Sequence, residues 1–135
     1  MKCLDTNLVI AVMNRRPAGA RDWLVNELGS GARIGVPMIV LFELINGYEK
    51  SSQREKNKAA LDAFLALGIE ILAFERDDAE HAGDIRATLE RAGHTIGPYD
   101  VLIAAQARAR GATLVTANLR EFERVPGLNV VDWAA

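Results

Sequence analysis

The sequence predicts an α/β fold, a three-layer sandwich with a central parallel sheet of about five strands flanked by helices. Three observations predict it. The strand-like runs are short and continuously apolar instead of alternating, as strands covered on both faces are. Segments of helical period separate them, and glycine or proline stands at most of the junctions. Parallel strands joined through helices require right-handed crossovers.

Met1 to Leu4 reads as the first strand, ending at Asp5, and Thr6 to Met13 as a helix that stops near Asn14 and Pro17. A second helix, Ala18 to Leu28, carries Trp23, Leu24 and Leu28 at core spacing and closes at Gly29, Ser30 and Gly31. Arg33 to Val36 is the second strand. Pro37 opens a helix to about Lys50, with Met38, Leu41, Phe42 and Ile45 as its expected buried stripe. Ser51 to Lys58 reads as a solvated connection, Ala59 to Leu67 as helix and Ile69 to Ala73 as the third strand. Asp77 to Ala92 is helical and stops at Gly93; Gly97-Pro98 introduces another helix, Tyr99 to Arg110, that ends at Gly111. Thr113 to Thr116 is the fourth strand, Leu119 to Phe122 a helical turn, and Asn129 to Val131 a last strand after Pro126-Gly127.

The 135 residues, half of them hydrophobic, match one domain over 1–135 that buries its own core. The lone Cys3 has no disulfide partner, and no apolar run is long enough to span a membrane, so a cytoplasmic protein is expected. A net charge of −2 argues against nucleic-acid binding by bulk electrostatics, which leaves local or metal-assisted contacts.

In such a sheet, strand C-termini and helix N-termini gather at one edge, where ligands bind. Asp5, Glu43 and Asp100 all fall there by position, and the segment Thr116 to Glu121 joins them. Taken singly, Asp5 suits an N-cap, Asp100 suits the positive end of a helix dipole, and Glu43 suits a solvated face with Asn46, Gly47 and Lys50. Together, three carboxylates repel unless a hard divalent cation lies among them, which predicts Mg²⁺ or Mn²⁺. With two histidines and one cysteine, zinc lacks its usual ligands, and His81 and His94 read as helix-surface and loop residues. Phosphodiester hydrolysis is the chemistry such a site suits best. Arg15, Arg16, Arg86, Arg120 and Arg124 are candidates for steering a phosphate backbone toward it.

Four motifs then stand out: LDTN at Leu4 to Asn7, FEL at Phe42 to Leu44, GPYD at Gly97 to Asp100 and LVTANLREFERVPGL at Leu114 to Leu128. Their order and spacing closely resemble the VapC-type toxins of the PIN-domain family, essentially from end to end. The resemblance implies a Mg²⁺-dependent endoribonuclease, the toxin of a bacterial toxin-antitoxin pair, that cuts RNA, most often tRNA, and inhibits translation and growth until its antitoxin neutralises it. Asp5, Glu43 and Asp100 would form the acidic site, with Asp5 and Asp100 as the main metal ligands. Glu43 would help hold the metal or orient the attacking water, Thr6 and Thr116 would hydrogen-bond the carboxylates, and Asn7 would support them. Many PIN domains carry a fourth acid after the fourth strand. Here Asn118 and Glu121 compete for that place, Glu121 being preferred, and one metal or two remain open. The resemblance further implies a homodimer, larger with a VapB-like antitoxin, whose C-terminal segment lies in a groove and sends an Arg toward the acids. Ile39, Leu44 and Tyr48 are the expected exposed apolar residues of that groove.

Two other readings compete. A signalling receiver domain also gathers acids at strand ends, and Thr116 would suit it. Against it, the first strand ends in a single acid, the third ends without Asp, and no Lys closes the last. A PIN-fold binding or regulatory protein without toxicity would be favoured by loss of an acid, and the three main acids are all present.

Overall fold

The computed structural model describes residues Met1 to Ala134. Five strands, β1 (Lys2–Leu4), β2 (Ile34–Pro37), β3 (Glu70–Leu72), β4 (Thr113–Thr116) and β5 (Asn129–Asp132), form one sheet in the order β3-β2-β1-β4-β5. Every pairing is parallel, so each strand is reached by a crossover. The central register sets Lys2 beside both Ile34 and Thr113, and Leu4 beside Val115. Seven helices flank the sheet: α1 (Thr6–Asn14), α2 (Ala18–Gly29), α3 (Met38–Glu49), α4 (Arg54–Leu65), α5 (Arg76–Ala92), α6 (Pro98–Ala109) and α7 (Leu119–Phe122).

Burial follows strand position. Cys3, Leu4, Ile34, Val36, Leu114 and Val115 on the three inner strands are essentially inaccessible, whereas the edge strands β3 and β5 leave Ile71 and Val131 over two-fifths exposed. Leu8, Val9 and Val12 of α1 and Ile103, Ala104 and Ala107 of α6 close over this sheet core. Burying one such aliphatic side chain stabilises the fold by about 1.5–3 kcal/mol, so the inner strands supply much of the core's stabilisation. Gly35 has a steric reason, because a Cβ there would meet Leu72 Cδ1 at 2.9 Å. Burial pushes the Cys3 thiol up to about 11, which leaves it an unreactive core residue.

Three expectations need correction. On α3 the buried residues are Val40 and Leu44, while Met38, Phe42 and Ile45 are exposed, so the expected stripe is rotated around the helix. The run MIVLFELI is apolar on nearly every side and gives the helical period no polar face to fix its phase. The segment expected to be a solvated connection is helical from Arg54, where Glu55 in the first turn faces the positive end of the helix and Leu61 and Phe64 anchor the far end. His81 is not a plain surface residue, because its Nδ1 accepts a 2.8 Å hydrogen bond from Arg108 Nε. His94 is exposed in the loop after α5.

Candidate active site

The sheet delivers its acids from four segments. Asp5 follows β1 directly, its backbone N–H bonded to the Val115 carbonyl of the neighbouring strand at 3.4 Å. It is also the N-cap of α1, where Oδ1 accepts from the Leu8 N–H at 2.9 Å, satisfying one of the donors that a helix start leaves free. The capping role and a place in the acid cluster coincide in one side chain. Oδ2 accepts from the hydroxyl of Thr116 at the end of β4, and both residues are buried, Asp5 at 3% exposure and Thr116 at 0%. The Thr116 oxygen in turn accepts from the Asn118 N–H at 2.8 Å, which fixes the direction of its proton toward Asp5.

Glu43 lies on α3, half-buried, and its Oε1 accepts from the Thr6 hydroxyl at 2.7 Å. Asp100 stands in the first turn of α6 with Oδ2 lying 3.4 Å from where a Cβ on Gly97 would be, so a glycine there leaves the carboxylate its room. Glu121 on α7 reaches back across the chain: Oε1 accepts from the Gly97 N–H at 3.1 Å and Oε2 from the Asn118 side-chain amide. Asn118 and Glu121 are therefore partners in one arrangement, in which the Asn118 amide and the Gly97 N–H orient the Glu121 carboxylate. Asn7 is exposed and makes no side-chain hydrogen bond among the described residues. Asp132 sits opposite Thr116 in the register, and its Oδ1 accepts from the Ala134 N–H at 2.9 Å.

Electrostatics tie the four acids together. Burial, and then the carboxylates of Glu121, Glu43 and Asp5, push the Asp100 carboxyl up to about 7. A helix N-terminus favours an anion by only about 0.3–1 kcal/mol. A rise from 3.8 to about 7 corresponds to roughly 4 kcal/mol before solvent screening, so burial and like charge win. Burial also raises Asp5, opposed by its bonds from Thr116 and Leu8, while Glu43 adds repulsion. None of the four is ion-paired among the described residues.

This donor set is all oxygen, which suits a hard divalent cation. No three of the acidic, histidine or cysteine groups already converge into a cation cage among the described residues. Each of Asp5, Glu43 and Glu121 is instead held back by its own donors. A closed cage is not required, since Mg²⁺ keeps several waters and commonly takes one or two carboxylates.

The PIN-domain sequence pattern matches residues 2–128. The chain belongs to the PIN-domain family. Its relatives of VapC type include the tRNA(fMet)-specific endonucleases VapC of Shigella flexneri, 42% identical over 131 residues covering 97% of this chain and 96% of that protein, and of Salmonella typhimurium, 42% identical over 130 residues, with 96% of each covered. Among solved structures, VapBC2 from Rickettsia felis bound to a DNA fragment from its promoter superposes with a TM-score of 0.90 at 37% identity, covering 98% of both chains. DNA-bound VapBC from Salmonella typhimurium gives a TM-score of 0.89 at 41% identity, covering 98% of this chain and 97% of that one.

A groove of about 220 Å³ runs from Glu43 between α1, α3 and α4, lined in part by Ile10, Met13, Leu44, Tyr48 and Leu61. Of the three residues expected to be exposed there, Leu44 is only 8% exposed and forms the floor, Tyr48 is half-buried at the wall, and Ile39 packs on the core outside the groove. The same phase error on α3 explains this.

Proposed function

We propose that this PIN-domain protein is a VapC-type endoribonuclease that cuts tRNA with the help of a divalent cation, Mg²⁺ or Mn²⁺, and that a VapB-like antitoxin holds it inactive. The observation that carries the reading is the cluster of Asp5, Glu43, Asp100 and Glu121, which share one edge without any cationic side chain among them.

Asp5 and Asp100 would hold the cation, Glu43 and Glu121 flanking them. A bound divalent cation supplies neutralisation of charge on the phosphodiester and a more acidic water. The chain's own groups do the positioning. Thr116 holds Asp5 through Oδ2 and leaves Oδ1 on the helix cap, so the carboxylate cannot rotate freely. Thr6 fixes Glu43, and Asn118 with the Gly97 N–H fixes Glu121. These partners orient the acids and are expected to matter about as much as outer partners of metal ligands usually do. Asp100, whose carboxyl titrates at about 7, is the acid that can exchange a proton near neutral pH when no cation is bound.

The groove beside Glu43 accepts an apolar helical segment of the antitoxin, with Leu44 and Tyr48 as contacts, and an arginine from that segment would neutralise the acids. A homodimer in the cytoplasm, where its tRNA substrate lies, completes the reading. No helix of the described residues is long and apolar enough to cross a membrane.

The test compares wild type with Asp100→Asn, purified without antitoxin and incubated with tRNA in Mg²⁺, Mn²⁺ or chelator. Cleavage confined to wild type with metal is expected, along with growth arrest on induction of wild type only. An Asp100→Asn protein that cuts as fast as wild type would overturn the site.

A further inference from the structure

Four carboxylates on a protein of net charge −2 repel a polyanion, so an RNA strand needs a local cation beside the acids. Half of the twelve arginines are already engaged within the chain. Arg33, Arg54, Arg76, Arg86, Arg108 and Arg110 each hold a carboxylate. Arg86, a candidate for steering phosphate, thus bonds Glu90 at 2.8 Å. Arg15 and Arg16 follow α1 at its far end, about nine residues or ~14 Å of helix from Asp5.

Arg120 and Arg124 differ. They stand four residues apart, one on α7 and one just past it, and share an open depression with Asn118 and Glu121. Both are exposed, and neither has a carboxylate partner among the described residues. Glu121 lies between them in sequence but forms no ion pair with either among the described residues; its oxygens accept instead from the Gly97 N–H and the Asn118 amide. Arg124 Nη1 donates to the Thr95 carbonyl at 3.2 Å, which ties it to the loop leading into Asp100. The Arg120 side chain makes no hydrogen bond among the described residues, leaving its whole fork of donors for an external anion.

We propose that Arg120 and Arg124 form a phosphate subsite that grips an RNA backbone phosphate neighbouring the scissile one. The proposal rests on the RNA-cleaving reading of the acids. Like charges four apart on a helical turn repel, and a phosphate between them turns that repulsion into attraction. The acids take the reacting phosphodiester and the arginines take its neighbour, so substrate is held by groups that play no part in bond breaking. A guanidinium fork suits phosphate oxygens better than an ammonium does.

The experiment measures steady-state cleavage of tRNA and anisotropy of a fluorescent single-stranded RNA, each across a salt series. It uses wild type, Arg120→Gln, Arg120→Lys, Arg124→Gln and the control Arg91→Gln, an exposed arginine on α5 without a carboxylate partner among the described residues. Arg120→Gln removes no internal hydrogen bond, so its folding is not in question. The subsite predicts a KM about tenfold higher for Arg120→Gln and Arg124→Gln with kcat within about twofold. It also predicts a log–log salt slope shallower by about 0.7 for each lost phosphate contact, and retention of that slope in Arg120→Lys. Variants that cut but match Arg91→Gln in KM and slope would overturn the subsite and leave the nuclease reading standing. A wild type that binds RNA through the arginine pair without cutting would support the subsite and overturn the nuclease reading.

Discussion

The two ends of α6 solve the same electrostatic problem in opposite ways. Past its C-terminal end, Arg110 reaches Asp78 at 2.7 Å and also donates to the carbonyls of Gln106 and Ala73, so a carboxylate only 2% exposed is held by a cation. At the N-terminal end, Asp100 is half-buried among three more acids and is ion-paired to no cation among the described residues. The first end is complete within the chain and staples the start of α5 to α6. The second is complete only with something from outside. The protein can build a neutralised buried acid, so its absence at Asp100 is best understood as a function held open at some cost in stability.

The largest test of that contrast removes the internal cation. Arg110→Met leaves Asp78 buried and unpaired, and should destabilise by about 3–5 kcal/mol in denaturant melts. Cleavage per folded molecule should stay unchanged. Loss of activity without loss of stability would erase the distinction between the two ends.

A smaller effect comes from pH. The carboxyl of Asp100 rises from 3.8 to about 7 on folding, so between those values the folded state binds more protons than the unfolded one. Stability of the metal-free protein should therefore fall as pH rises from about 4 to 7, by up to about 4 kcal/mol and less after solvent screening. Asp100→Asn should flatten this profile and raise the melting temperature near neutral pH. Added Mg²⁺ should restore wild-type stability there, by mass action on the folded state. An unchanged profile in Asp100→Asn would mean that this carboxylate is not under strain.

Thr116→Val should have the smallest effect. It removes the donor to Asp5 and the acceptor for the Asn118 N–H, and should cost about 1 kcal/mol of stability. If the hydroxyl orients Asp5, metal affinity measured by titration should drop about 10- to 100-fold. Equal affinity would reduce Thr116 to a structural residue.

The sheet and the acids were legible in sequence for a simple reason. Parallel strands announce themselves as apolar runs, and a residue just past a strand or just inside a helix has its edge of the sheet set by topology alone, which placed Asp5 and Asp100. Glu43 needed only the count along α3. The phase of that helix was illegible because no polar residue marks a face in its first five positions, and the groove residues inherited the error. The beginning of α4 was hidden because its first two turns are charged and carry no apolar period. The arrangement of Glu121 was also out of reach, since beside its local bond from the Asn118 amide it depends on the Gly97 N–H, 24 residues away.

The hydrogen bond from Thr116 to Asp5 joins residues 111 positions apart. Strand β1 receives its neighbour β4 only after the intervening elements α1 to α6 have been made. A nascent chain that has not yet delivered Thr116, Asn118 and Glu121 beyond the ribosome therefore holds Asp5 without its hydroxyl partner and lacks the fourth acid entirely. At about 5–20 residues per second, the 111 positions from Asp5 to Thr116 take about 6–22 seconds to synthesise before the site can assemble. Asp5 is thus completed by a distant segment, and no fragment that stops before Thr116 can hold its carboxylate as the folded protein does.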